Sequence, residues 1–128
     1  MEEEEFVSLW VGNIQTTEEL NRLLAVSYSD EGDFVPSIFE KHFEIRRYED
    51  AVREAEYYDS ASSDLHQLLE GFSYDDKIVP RFEKLVQVEL PSDINAVVLL
   101  YNFKYTGAIV EATIQSNYLR FLGTVEYQ

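Results

Sequence analysis

Two histidines, His42 and His66, are the only imidazoles in the 128 residues, and there is no cysteine. Neither has a second ligand at metal-binding spacing. Phe39-Glu40-Lys41-His42-Phe43-Glu44 lacks a partner imidazole, and His66-Gln67-Leu68 starts no H-x-x-x-H pattern. Both read as histidines on helix surfaces. The missing thiol excludes a disulfide framework, a thiolate zinc site and a cysteine nucleophile. No G-x-S-x-G elbow, P-loop or glycine-rich dinucleotide fingerprint is present in a chain with 5 Gly.

Carboxylates are the abundant chemistry, with 25 Asp and Glu against 10 Lys and Arg and a formal net charge of -15. Asp30, Glu31 and Asp33 flank Gly32, but the spacing and terminal bidentate Glu of an EF-hand loop are absent. Asp59, Asp64, Asp75 and Asp76 suit the first turns of helices, where an acid meets the positive end of the dipole. Glu111 is the acid expected within the last sheet. A glycosidase-type pair needs a facing carboxylate, and spacing names none. Trp10 reads as a core aromatic at the end of a strand, followed by a positive-φ turn at Gly12-Asn13. Tyr74 and Tyr101-Asn102-Phe103 read as packing residues with polar tips. Tyrosine exposed beside acids would instead make a recognition surface.

The elements that must position these residues follow from periodicity and caps. Phe6 to Val11 is a short β-rich run. Thr16 and Glu19 have capping-box spacing ahead of Leu20, Leu23 and Leu24, which defines a first helix. After the polar loop Ser29 to Asp33, Pro36 is placed in the first turn of a second helix that buries Val35, Ile38, Phe39 and Phe43. The stretch from Ile45 to Tyr58 admits a helix or an edge strand, and the edge strand is the preferred reading. Ser62 or Ser63 caps a third helix carrying Leu65, Leu68, Leu69 and Phe72, with Gly71 as its stop. A fourth starts at Asp75 or Asp76, holds Pro80 in its first turn and buries Ile78, Val79, Phe82, Leu85 and Val86. Ile94 to Tyr105 is the longest β-rich run, and its early half is apolar at both parities, as in an interior strand covered on both faces. Thr106-Gly107 is a plausible hairpin turn. With Ser116-Asn117 it would close a three-strand antiparallel meander ending at Tyr127. The expected fold is α+β, an antiparallel sheet with this C-terminal meander packed against about four helices in one domain of residues 1–128.

Charge is unevenly spread along this order. Residues 1–33 hold 9 acidic and 1 basic residue, 34–93 hold 14 and 7, and 94–128 hold 2 and 2. Hydrophobic residues make up 45% and aromatics 14%, too many for a disordered acidic tail, so the charge belongs to a folded surface. Such a surface repels nucleic acid and anionic membrane. Met1-Glu2-Glu3-Glu4-Glu5 lacks the basic start of a signal peptide, and no apolar run is long enough to span a bilayer. A cytoplasmic location is expected.

Four blocks in order carry a resemblance: Val7-Ser8-Leu9-Trp10-Val11-Gly12-Asn13, Phe34-Val35-Pro36-Ser37-Ile38-Phe39, Leu68-Leu69-Glu70-Gly71-Phe72-Ser73-Tyr74 and Ala96-Val97-Val98-Leu99-Leu100-Tyr101-Asn102-Phe103. From about Phe6 to Tyr127 the sequence resembles the immunity protein 22 family of bacterial polymorphic toxin systems. The resemblance implies a small α+β cytoplasmic protein that neutralises a cognate toxin domain, commonly a nuclease, without catalysis and without a cofactor. The charge fits that role, because a nuclease that grips phosphates presents a basic cleft which an acidic protein can occupy. The candidate partner-binding residues are Asp30, Glu31, Asp33, Glu49, Asp50, Glu54, Glu56, Asp59, Asp75 and Asp76, with Tyr57, Tyr58 and Tyr74 as anchors. Acids and tyrosines interleave most densely over residues 49–59. An acidic interaction or DNA-mimic protein that binds a basic host protein is the second reading, and a small hydrolase the third.

Overall fold

A computed structural model describes residues 2–46, 51–87 and 89–128. In chain order these form β1 (Glu2–Asn13), α1 (Thr17–Leu24), β2 (Ser27–Tyr28), β3 (Phe34–Val35), α2 (Ile38–His42), β4 (Val52–Ser62), α3 (Leu65–Leu69), α4 (Asp75–Leu85), β5 (Ile94–Phe103), β6 (Glu111–Ile114) and β7 (Asn117–Glu126). The fold is α+β. Five strands make an antiparallel sheet in the order β4-β5-β1-β7-β6, and β2 and β3 pair separately.

Helices cover both faces of the sheet, which explains why β1 and β5 are apolar at both parities. On one face Val7, Leu9 and Val11 of β1 join Val97, Leu99 and Tyr101 of β5 against Leu65, Leu68 and Leu69 of α3 and Ile78 and Phe82 of α4. On the other, Trp10 joins Ala96, Val98 and Leu100 against Leu20, Leu23 and Leu24 of α1 and Phe39 of α2. Trp10 is wholly buried, with ring centroids 5.1 Å from Phe39, 5.3 Å from Tyr105 and 5.0 Å from Phe121. Emptying a site of this size costs about 3–5 kcal/mol.

Local signals set the helix ends. Thr16 Oγ1 accepts the Glu19 N–H at 3.1 Å, but the Glu19 carboxylate turns to Arg22 instead of closing the capping box. The closed box lies at α2, between Ser37 and Glu40. Pro36 therefore precedes the cap, and Val35 belongs to β3. Asp64 caps α3, while Ser62 Oγ accepts the Asp64 N–H just ahead of it. Gly71 follows α3 with φ 93°, as a helix stop requires. Tyr74, in left-handed geometry, precedes α4, and Pro80 is that helix's sixth residue instead of a member of its first turn.

The strand order corrects the expected meander. The last three strands all enter the sheet, but β1 is inserted between β5 and β7, so of these three strands β6 and β7 alone form a hairpin. A strand as apolar on both faces as β1 is buried most completely in the sheet's interior. Thr106-Gly107 is no two-residue turn either, because β6 begins only at Glu111. Tyr105 anchors this connection. Its ring is buried, its hydroxyl lies 2.9 Å from the Phe43 carbonyl and 2.8 Å from that of Ile109, and its N–H donates to Ser8 Oγ. Gly12-Asn13 is likewise part of β1 and not a turn. Gly12 is required by close approach, since a Cβ there would meet the Tyr118 carbonyl oxygen at 2.0 Å.

Candidate functional site

The edge strand β4 organises the site. Its sequence is polar, and it is held extended by pairing with β5, from Val52↔Tyr101 through Glu54↔Leu99 to Tyr57↔Ala96. Successive side chains leave opposite faces of a strand, and β4 uses this alternation to grip both helical layers. On the α1 face, Arg53 Nη1 donates to the Leu24 carbonyl at 2.6 Å, satisfying an acceptor left open at the helix C-terminus. Tyr57 lies on the same face with its hydroxyl 3.4 Å from the Gln15 carbonyl. On the α3 face, Glu54 takes both the Ser73 N–H, at 2.9 Å, and the Ser73 hydroxyl. Tyr58 donates to the Leu68 carbonyl at 2.7 Å.

Between the two layers lies an open cleft of about 770 Å³. Residues 53–58 of β4 line its middle, with Thr17, Leu20, Asn21 and Leu24 of α1 on one side and Glu70 to Ser73 on the other. Two smaller depressions adjoin it through shared residues. One of about 490 Å³ shares Glu70 and includes His66, Asp75, Asp76 and Glu83, and one of about 430 Å³ shares Tyr58 and includes Asp59. The three linings together carry the carboxylates of Glu54, Glu56, Asp59, Glu70, Asp75, Asp76 and Glu83 against the single guanidinium of Arg53. Burial raises the Tyr58 hydroxyl above its ordinary range, and the charges of Glu56 and Glu70 add to the effect. Burial does the same at Tyr101, followed by Glu54, and the Tyr101 hydroxyl donates to the Ser73 carbonyl.

The structure gathers some of the expected residues and separates others. Glu54, Glu56, Tyr57 and Tyr58 line the cleft, and Asp59, Asp75 and Asp76 its two neighbours. Asp30, Glu31 and Asp33 line none of the three. They occupy the exposed β2–β3 turn, where Ser29 N–H donates to the Asp33 carbonyl. Tyr74 packs on Tyr127 with centroids 4.8 Å apart and is 47% exposed, outside the cleft lining. Glu49 and Asp50 lie outside the described residues. Two of the acids are committed to the fold, since Glu54 holds Ser73 and Asp75 accepts the Gly71 N–H at 2.9 Å. His42 and His66 are exposed on their helices. Glu111 is exposed at the start of β6 and accepts the Tyr118 hydroxyl instead of facing another acid.

Sequence reasoning missed Arg53, Glu70, Phe72 and Ser73. The available signal was the helix stop at Gly71 followed by a new helix at Asp75, since a connection between helices that share a face lies on the surface beside their partner strand.

A sheet covered on both faces, with an acidic cleft opening along its free edge, defines a small α+β protein that presents a broad charged surface. A family model described as Immunity protein 22 matches residues 7–128, and the chain belongs to that family. It is thus an immunity protein, whose partner is a toxin. No curated protein and no solved structure matches the chain.

Proposed function

We propose that this protein neutralises a cognate basic toxin domain, a nuclease, by occupying its phosphate-binding surface with the acidic cleft beside β4, as one domain acting in the cytoplasm of the producing cell. The observation that carries this reading is the excess of carboxylates over cations in the cleft and its two neighbours. A surface that grips nucleic acid is lined by Lys and Arg, and an array of carboxylates meets it as a polyanion would. Rim acids raise the association rate and orient the encounter, whereas tight inhibition needs desolvated anchors. The half-buried rings of Tyr57, Tyr58 and Phe72 supply these. Asp30, Glu31 and Asp33 contribute to the long-range field from the β2–β3 turn.

Co-expression with the toxin domain encoded beside this gene tests the role. Cells are expected to survive only when both proteins are present, and equal killing with and without this protein refutes it. Reversal of Glu56, Glu70, Asp76 and Glu83 to Lys tests the electrostatic part. The association rate is expected to fall by roughly tenfold or more at low salt, with a flatter salt dependence. An unchanged rate and salt slope removes the cleft from the interface.

A further inference from the structure

We propose that the partner engages this protein by strand addition, laying an extended cationic segment along the open edge of β4 as a sixth strand of the sheet. The proposal rests on the toxin-binding reading above and specifies how the cleft is filled.

Among the described residues β4 pairs as a strand only with β5, so its outer edge is left without a strand partner. The register is unbroken from Val52 to Tyr57 and shifts only between Tyr57 and Ser62. That is six residues, or about 20 Å of regular strand, offering alternate N–H and C=O groups outward. The opposite end of the sheet differs. There β6 spans four residues, Glu111–Ile114, which is the short edge by which proteins avoid unwanted pairing.

Long edges are usually guarded by charged side chains, and β4 has two that are tied away. Arg53 is fastened to the Leu24 carbonyl on one wall and Glu54 to Ser73 on the other. These ties also fix the walls, so the edge lies along a channel already shaped. Strand addition draws its affinity from main-chain bonds and its specificity from flanking side chains. Those flanks are the exposed carboxylates of Glu56 and Glu70 and the half-buried rings of Tyr57 and Phe72. They select lysine or arginine in the incoming segment, with guanidinium stacking on the rings. A second copy of this chain is a poor occupant, because antiparallel pairing of β4 with itself sets like charges opposite one another.

The test uses isotope-labelled protein, free and bound to the unlabelled toxin domain encoded beside this gene. Cross-strand Hα–Hα contacts between residues 52–57 and the toxin are expected, and the β4 amides not bonded to β5 should exchange more slowly by roughly a hundredfold. A complex that forms without these contacts and leaves the β4 amides unchanged overturns strand addition while leaving neutralisation intact. Failure to form any complex overturns the toxin-binding reading and this proposal with it. A dimer of the free protein paired through β4, seen by sedimentation and the same contacts, shows that the edge belongs to a second copy and also overturns it.

Discussion

Glu54 and Glu56 carry the same charge on the same strand, yet their replacement by Ala should have different consequences. The Glu54 carboxylate accepts two bonds from Ser73, whose carbonyl in turn accepts the Tyr101 hydroxyl, so one side chain pins the α3–α4 connection to the sheet. Glu56 is exposed and only lines the cleft. A hydrogen bond to a charged group contributes about 1.5–3 kcal/mol, and an exposed partner such as Ser73 reduces this, so loss of the pair should cost about 1–3 kcal/mol. Glu56→Ala should stay within about 0.5 kcal/mol of the parent. Urea unfolding can be followed through Trp10, the single tryptophan, which is fully buried. With a slope of about 1–3 kcal/mol per molar urea, Glu54→Ala should lower the midpoint by roughly 1 M. Glu54→Gln, which keeps one acceptor for the Ser73 N–H, should fall between. Ser73→Ala added to Glu54→Ala should cost little more, because the two share one interaction. Equal midpoints for the Glu54 and Glu56 variants would refute the clamp.

Gly12→Ala forces a Cβ against the Tyr118 carbonyl and must part β1 from β7, so a loss of about 2 kcal/mol or more and a Tm lower by roughly 5–10 °C are expected; an unchanged melting curve contradicts the close approach. Stability should also fall in alkali. Burial raises the Tyr101 hydroxyl far above its ordinary value, so the folded chain keeps a proton that the unfolded chain releases near pH 10. That contribution is complete below pH 10 and declines as pH rises, by up to about 1.4 kcal/mol per pH unit. Tyr101→Phe should flatten the decline measured between pH 9 and 12, and an unaltered slope contradicts it. Glu40 is buried, with one carboxylate oxygen accepting the Ser37 N–H and the other without a partner. Glu40→Ala removes the acceptor of the Ser37 N–H and leaves that buried donor unpaired, so a loss of about 1–3 kcal/mol is expected; an unchanged Tm contradicts this.

Local chemistry made the helices readable. Thr16 ahead of Leu20, Leu23 and Leu24, and Gly71 after Leu69, are signals that involve only neighbours in sequence. The edge strand was only half readable, since the charges and alanines between Ile45 and Tyr58 suit a helix as well as a strand, and the pairing with β5 that settles it, over Val52–Ser62, is a contact of long range. The insertion of β1 between β5 and β7 was not readable, because strand order depends on which apolar faces meet across the whole chain, and Val7 carries no mark that Tyr101 and Val125 will flank it. The β2–β3 pair was missed for the opposite reason. Two-residue strands such as Ser27–Tyr28 and Phe34–Val35 are too short to show a period, although a polar turn containing Gly32 lies between them. At the site, the acidic cluster was visible in outline, but the sequence did not distinguish Glu54, which ties a wall in place, from Glu56, which faces the open cleft.

The position of β1 also governs the order in which the sheet can form. Each of its strand partners follows it by more than eighty residues, from Gly12↔Ala96 upward, so β1 has neither partner until β5 and β7 have been made. Neither apolar face of the sheet can close before then, and contacts of such long range form slowly. β4 waits in the same way, because among the described residues it pairs with β5 alone. A newly made chain therefore completes neither its helical layers nor the cleft beside β4 until β5 has been synthesised, and the cleft is among the last features of the fold to take shape.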